Sequence, residues 1–122
     1  MSFGKIKIRK ADTLFSRYLR LQHKKCEKCG RRGEGKDGID KLQCSHFWGR
    51  RNENVRYDEK NCDCLCFTCH QFFGENPAIY AEWKLKKLGK KEYDKLKLSA
   101  HFYCKRDDLA NEIYFKQKLK IK

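Results

Sequence analysis

The fold class this sequence predicts is a small α+β domain, stapled by a metal ion and flanked by helices at both ends. Three observations lead there. Cysteines recur as two pairs, Cys26-Glu-Lys-Cys29 and Cys66-Phe-Thr-Cys69. The stretch between the pairs contains strand-like alternation, and the stretches outside them carry helical periodicity. The chain has 122 residues, the size of one compact unit, and only 39% of them are hydrophobic. That is a thin supply for a core, which a metal staple would supplement.

Residues 1–10 read as a basic N-terminal arm, in which Ile6 and Ile8 alternate with Lys5, Lys7 and Arg9. A short strand also fits that pattern, but fraying concentrates at termini. From Asp12 to about His23 the period is helical. Leu14, Phe15, Tyr18 and Leu19 fall on one face, Arg17 and Arg20 fall elsewhere, and Asp12 stands as N-cap. Cys26 to Gly38 is a knuckle followed by a glycine-rich loop. Ile39 to Trp48 reads as a strand, residues 49–56 as a polar, basic loop, and Tyr57 to Leu65 as the approach to the second knuckle. A helix starts near Cys66.

Asn76-Pro77 then opens a helix over Pro77 to Leu88, with Asn as cap, Pro at the first helical position and Gly89 closing it. Ile79, Tyr80, Trp83 and Leu88 would face inward. Lys91 to Lys120 reads as one or two more helices, with Leu109, Ile113 and Leu119 at helical spacing. The chain thus divides into an arm (1–10), a core domain (11–90) and a C-terminal helical extension (91–122). The extension either joins the same compact unit or serves dimerisation.

Thirty Lys and Arg face sixteen Asp and Glu, a formal net charge of +14. Such a self-repelling excess calls for a polyanionic partner, nucleic acid or an acidic membrane. No apolar run approaches the ~18 residues that cross a bilayer. The start, Met1 to Lys5, lacks the apolar stretch of a secretory signal. The expectation is a cytoplasmic protein that binds nucleic acid and no membrane. Arg50, Arg51 and Arg56 are the expected phosphate grips. Lys84, Lys86, Lys87, Lys90 and Lys91 read as a solvated helix face, and Phe47 and Trp48 as core rather than base-stacking platforms.

Eight cysteines in a reducing compartment point to metal rather than disulfides. Each C-x-x-C knuckle wraps two thiolates around one side of a tetrahedral ion, so Cys26, Cys29, Cys66 and Cys69 complete a closed four-sulfur zinc site. Redox C-x-x-C motifs normally come singly on a βαβ framework. Cys62 and Cys64 alternate with Cys66 along one strand face. The spacing favours Cys66 with Cys69 and leaves Cys62 and Cys64 as small core residues. Cys44 and Cys104 read as buried thiols.

His46 and Asn61 lie between the knuckles, and His70 follows Cys69 directly. His, Asn and His in that order, interleaved with paired knuckles, resemble the HNH endonucleases. The likeness is closest in Asn61-Cys-Asp-Cys-Leu-Cys66-Phe-Thr-Cys69-His70. It implies the ββα-metal fold, a two-stranded hairpin and a helix clasping one divalent ion. By that resemblance His46 is the general base. His70 would bind catalytic Mg²⁺ or Mn²⁺, which polarises the scissile phosphate and stabilises the leaving 3′ oxygen. Asn61 would hold the loop and orient the base, or alternatively reach the metal through its amide. Many members carry an acidic ligand just before the base, where this chain has Ser45. Asp58 is the expected replacement, with Asp63 second. Taken alone, His46 reads as a core histidine and Asp58 as a turn cap. His23 and His101 read as surface residues.

A second resemblance spans about residues 11 to 90. Ala11-Asp-Thr-Leu-Phe-Ser-Arg-Tyr-Leu-Arg20, Leu42-Gln-Cys-Ser-His46-Phe47, Arg56-Tyr-Asp-Glu-Lys-Asn61 and Gly74-Glu-Asn76 are similar to the phage NinG (lambda Rap) recombination proteins. That implies cutting of branched DNA such as Holliday junctions and D-loops, with a recombinase as a candidate partner. Symmetric junction cutting needs two active sites and hence a homodimer. Two rival readings stay open: an HNH nicking or homing enzyme on linear duplex, and a non-catalytic zinc-finger module. The trio His46, Asn61 and His70 separates them from each other, because a binding module does not require it.

Overall fold

The computed structural model describes residues 7–102 and 104–120, so most of the basic arm, residues 1–6, lies outside them. In chain order the elements are α1 (Lys10–His23), β1 (Leu42–His46), β2 (Cys62–Cys66), α2 (Phe67–Glu75), α3 (Pro77–Leu88), α4 (Lys90–Ala100) and α5 (Asp108–Lys118). The β1–β2 loop holds two single turns of 3₁₀ helix, Glu53–Val55 and Glu59–Asn61. The architecture is mixed α+β around a two-stranded antiparallel sheet.

The hairpin register sets Leu42 against Cys66, Cys44 against Cys64 and His46 against Cys62. Since side chains alternate across a strand, Leu42, Cys44, His46, Cys62, Cys64 and Cys66 share one face. Gln43, Ser45, Asp63 and Leu65 share the other. Helix α1 covers the first face around Cys44 and Cys62, where Phe15, Leu19 and Phe115 are buried with Cys62. Helices α2 and α3 cover the second face, and the Phe73 and Tyr80 rings stack there with centroids 4.4 Å apart. Behind the loop, Leu96 and Ala100 of α4 bury Val55.

β1 is shorter than the strand expected from Ile39 to Trp48. Past His46, Phe47 N–H still donates to the Asn61 carbonyl in register at 2.8 Å, but Trp48 N–H is taken by the Asn61 side chain at 2.8 Å, and the strand pairing goes no further. Helix α1 begins before Asp12. Arg9 is its N-cap, and the Asp12 carboxylate reaches back from the third helical position to accept Arg9 N–H at 2.7 Å. Helix α3 runs over the expected span. Gly89 closes it in the left-handed region (φ 80°), donating its N–H to Leu85 O at 2.8 Å, a conformation that costs glycine nothing. Asn76 precedes the helix, but its side-chain amide donates backward to Phe72 O at 2.9 Å and caps nothing ahead.

One inward assignment is corrected: Ile79 is 43% exposed. On α5, Leu109 and Ile113, which stand at helical spacing, are 69% and 49% exposed. Helix α5 instead buries Phe115, whose ring sits 5.1 Å from Phe15, 5.7 Å from Tyr57 and 6.0 Å from Tyr18. An aromatic socket of that kind rewards a ring over the aliphatic side chains at neighbouring positions. Phe47 and Trp48 pack as core aromatics, Phe47 edge-on to Tyr80 at 5.0 Å. Among the described residues no helix is long and apolar enough to cross a membrane.

Candidate metal centre and hairpin site

The four knuckle cysteines converge at the Leu42/Cys66 end of the hairpin. Their sulfurs all lie within 4.8 Å of one another, with Cys29 and Cys66 3.8 Å apart. A tetrahedral ion with metal–sulfur bonds of about 2.3 Å has a sulfur–sulfur edge of about 3.8 Å, so this cluster fits zinc. The first knuckle turns at Gly30, where φ is 79° and the N–H returns to Cys26 O at 2.9 Å. Burial opposes ionisation of Cys26, but the N–H groups of Cys29, Cys66 and Lys28 bring its thiol down to about 7. Thiolates are the species a metal takes.

The opposite end is held by buried polar groups. Arg56 is 1% exposed and Asp12 4%. Arg56 Nε donates to Asp12 Oδ1 at 2.8 Å and Nη2 to Oδ2 at 2.5 Å. Its remaining donors reach the carbonyls of Arg50 and Lys7. Arg56 is therefore a tie between α1 and the β1–β2 loop, with no guanidinium face left for a DNA phosphate, which corrects its assignment as a phosphate grip. Burial would raise the Asp12 carboxyl, but the Arg56 bonds and charge, with Arg9 N–H, hold it down to about 2. Asn61 is fully buried and straps the same loop. Its Nδ2 donates to Trp48 O at 2.9 Å and Val55 O at 3.1 Å, and its Oδ1 accepts Trp48 N–H at 2.8 Å. The loop-holding expectation for Asn61 corresponds to these bonds. Its side chain makes none of them to His46.

His46 ends β1 on the α1 face, with its ring 6.2 Å from that of Phe15. Its Nε2 lies 2.9 Å from Arg56 O. A carbonyl can only accept, so Nε2 carries the proton and Nδ1 keeps the lone pair. Burial, joined by the Arg50 charge, pushes the imidazole down to about 4 against the pull of that hydrogen bond. His70 stands on the first turn of α2 and its Nδ1 bonds the Gln43 side-chain oxygen, which leaves the lone pair on Nε2. Burial and the Arg50 charge lower its pKa too.

His46 and His70 thus lie on opposite faces of the hairpin, each with its tautomer set by an acceptor. Arg50 is half-buried and within electrostatic reach of both. Its Nε is buried with no hydrogen-bond partner, 3.9 Å from Asp12. Arg51 is exposed beside it.

The two carboxylates expected beside His70 are elsewhere. Asp58 caps the second 3₁₀ turn by accepting Lys60 N–H at 2.9 Å, and it lines hollows against α4 and the start of α5. Asp63 is fully buried on the α3 side, paired with Lys84 at 2.9 Å and Lys87 at 2.5 Å and accepting Tyr80 O–H at 2.6 Å. Ser45 meets the same Tyr80 hydroxyl at 3.0 Å. Lys84, expected on a solvated face, is 0% exposed; burial lowers its pKa against the pull of Asp63. The carboxylate that does share a depression with His70 is Glu75, with Gln43, Phe67, Gln71 and Gly74 around a volume of about 340 Å³.

Sequence reasoning assigned no role to Gln43 and gave Asp12 only that of a helix cap, because the partners of both, His70 and Arg56, lie far along the chain. It also left Cys44 as a buried thiol, whereas Cys44 and Cys104 are both half-buried. Cys62 and Cys64 are core residues as expected, 1% and 0% exposed. His23 is half-buried, 3.7 Å from Glu27, and His101 is exposed over Trp48. No protein-family model matches the chain, and no curated protein or solved structure matches it.

Proposed function

We propose that this protein is a metal-dependent DNA endonuclease of the HNH kind, acting on branched recombination intermediates. The observation that carries the reading is the β1–β2–α2 unit itself, a hairpin whose loop is strapped by Asn61, with a tautomer-fixed imidazole at the end of β1 and another on the first turn of α2. His46, neutral at physiological pH, takes a proton from the attacking water at Nδ1 while Arg56 O holds Nε2. His70, oriented by Gln43, offers Nε2, and Glu75 offers oxygen donors of the type Mg²⁺ and Mn²⁺ take. A divalent cation bound there would polarise the scissile phosphate and stabilise the leaving 3′ oxygen. Because His46 and His70 stand on opposite faces of the hairpin, this reading requires the phosphate to sit at the hairpin's end, where the Arg50 charge reaches both imidazoles. Arg50, half-buried and with its charge in reach of both histidines, and exposed Arg51 are the grips on the backbone phosphates in this reading. Cys26, Cys29, Cys66 and Cys69 hold structural zinc. Two-fold cutting of a junction calls for a homodimer, which the solution mass with junction DNA tests.

The test is cleavage of a labelled four-way junction and a matched linear duplex with Mg²⁺ or Mn²⁺. Wild type cuts the junction preferentially, and His46→Ala and His70→Ala each lower the rate at least ~100-fold. Equal cutting of the linear duplex would favour a nicking or homing enzyme. A second reading is favoured by the packing of His46 against Phe15 and its bond to the main chain. In that reading the chain is a zinc-stapled nucleic-acid-binding module, and the same assay shows junction binding without cleavage.

A further inference from the structure

The α1 face of the hairpin carries a second group of metal-ligating side chains. Cys44, His46 and Cys62 place one ligand atom each within 4.8 Å of the others. The register explains the convergence. His46 pairs across the strands with Cys62, and Cys44 lies two residues before His46 on the same face. Cys62 is buried, while Cys44 and His46 are half-buried, so the group opens toward solvent on one side. A further feature is independent of the spacing. His46 has its Nε2 committed to the Arg56 carbonyl at 2.9 Å, the main-chain bond that commonly orients a metal-ligating histidine and raises its basicity.

We infer that Cys44, His46 and Cys62 form a second binding site for a zinc-like, thiophilic divalent cation, distinct from the four-cysteine centre. Two sulfurs and one imidazole nitrogen are a donor set zinc accepts with a fourth position left to water. His46 would bind through Nδ1, the nitrogen its hydrogen bond leaves unprotonated. The site stands whether or not the chain is a nuclease. Where the nuclease reading also holds, cation binding takes up the lone pair the general base needs, and zinc beyond the first equivalent inhibits cleavage.

The test is metal stoichiometry on the reduced, full-length chain, by Zn²⁺ analysis and Co²⁺ titration followed through thiolate-to-metal absorption. Two equivalents are expected for wild type and one for Cys44→Ser and for Cys62→Ser, with circular dichroism unchanged. A single equivalent in wild type overturns the proposal, as does a second equivalent that survives both substitutions. So does a Cys44–Cys62 disulfide that persists under reducing conditions. Should Cys62→Ser fail to fold, alkylation of Cys44 in the wild-type chain decides. A second equivalent of Zn²⁺ slows it about tenfold or more, and an unchanged rate refutes the site. Loss of nuclease activity has no part in these readouts, so failure of the nuclease reading leaves them interpretable.

Discussion

The two ends of the β1–β2 hairpin are held by different physics. The Leu42/Cys66 end is gathered by four thiols from two short motifs, each of which brings its own turn. The His46/Cys62 end is held by single side chains that come from far apart in the chain: Asp12 on α1, Arg56 in the loop and Asn61 just before β2. A metal clamp is strong and tolerant of what surrounds it. A strap of buried hydrogen bonds is strong only while every partner is present, because a lone buried donor or charge carries its full desolvation penalty. The four-cysteine end can therefore be read residue by residue, and the histidine end only as a network.

That comparison can be broken or sharpened experimentally. The largest effect is expected from stripping the clamp with a strong chelator or by Cys66→Ser. Structural zinc contributes about 10 kcal/mol or more to such sites, comparable with a domain's entire stability of about 5–15 kcal/mol. The cooperative unfolding transition and much of the helical circular dichroism should disappear. Retention of both would mean that the strap alone carries the fold.

Next in size is Arg56→Met, which leaves the Asp12 carboxylate buried without its partner. A loss of about 3–5 kcal/mol in denaturant unfolding is expected. Acid should expose the same tie from the other side. Asp12 has its folded pKa depressed from 3.8 to about 2. The stabilisation it supplies is fully present above pH 4, and it is lost as the pH falls through the folded value. The wild type should lose about 2 kcal/mol in that window, and Arg56→Met should show most of that dependence removed.

The smallest of the three is Asn61→Ala, at about 2 kcal/mol, since three hydrogen bonds go but water can reach part of the loop. Its value lies in where the effect falls. Amide exchange should quicken through residues 47–61 while the knuckles at 26–30 and 64–69 stay protected. Equal loosening at both ends would show that clamp and strap form one cooperative unit.

Much of this was legible without coordinates. The C-x-x-C spacing named the four cysteines that converge into a cluster fit for zinc, Asn76-Pro77 and Gly89 bounded α3, and the Phe15/Leu19 period oriented α1, because each signal is local and its geometry follows from a few consecutive residues. Arg56 illustrates the opposite case. A loop arginine in a chain of charge +14 reads as a phosphate grip, and only its burial against Asp12, 44 residues earlier, reveals a structural tie. Lys84 was misread for the same reason, since its partner Asp63 lies on another element. Asp58, by contrast, shows the local capping role its position before a turn suggests.

The sequence by itself determined the class of the domain, the four-thiol cluster and the order of His46, Asn61 and His70, since spacing within a knuckle or a helix is a short-range property of the chain. Tertiary structure alone decided which face each histidine occupies, that Gln43 and the Arg56 carbonyl fix their tautomers, and that Cys44 and Cys62 meet His46. Strand register and helix docking settle those pairings, and they are set by the burial of residues distant in sequence.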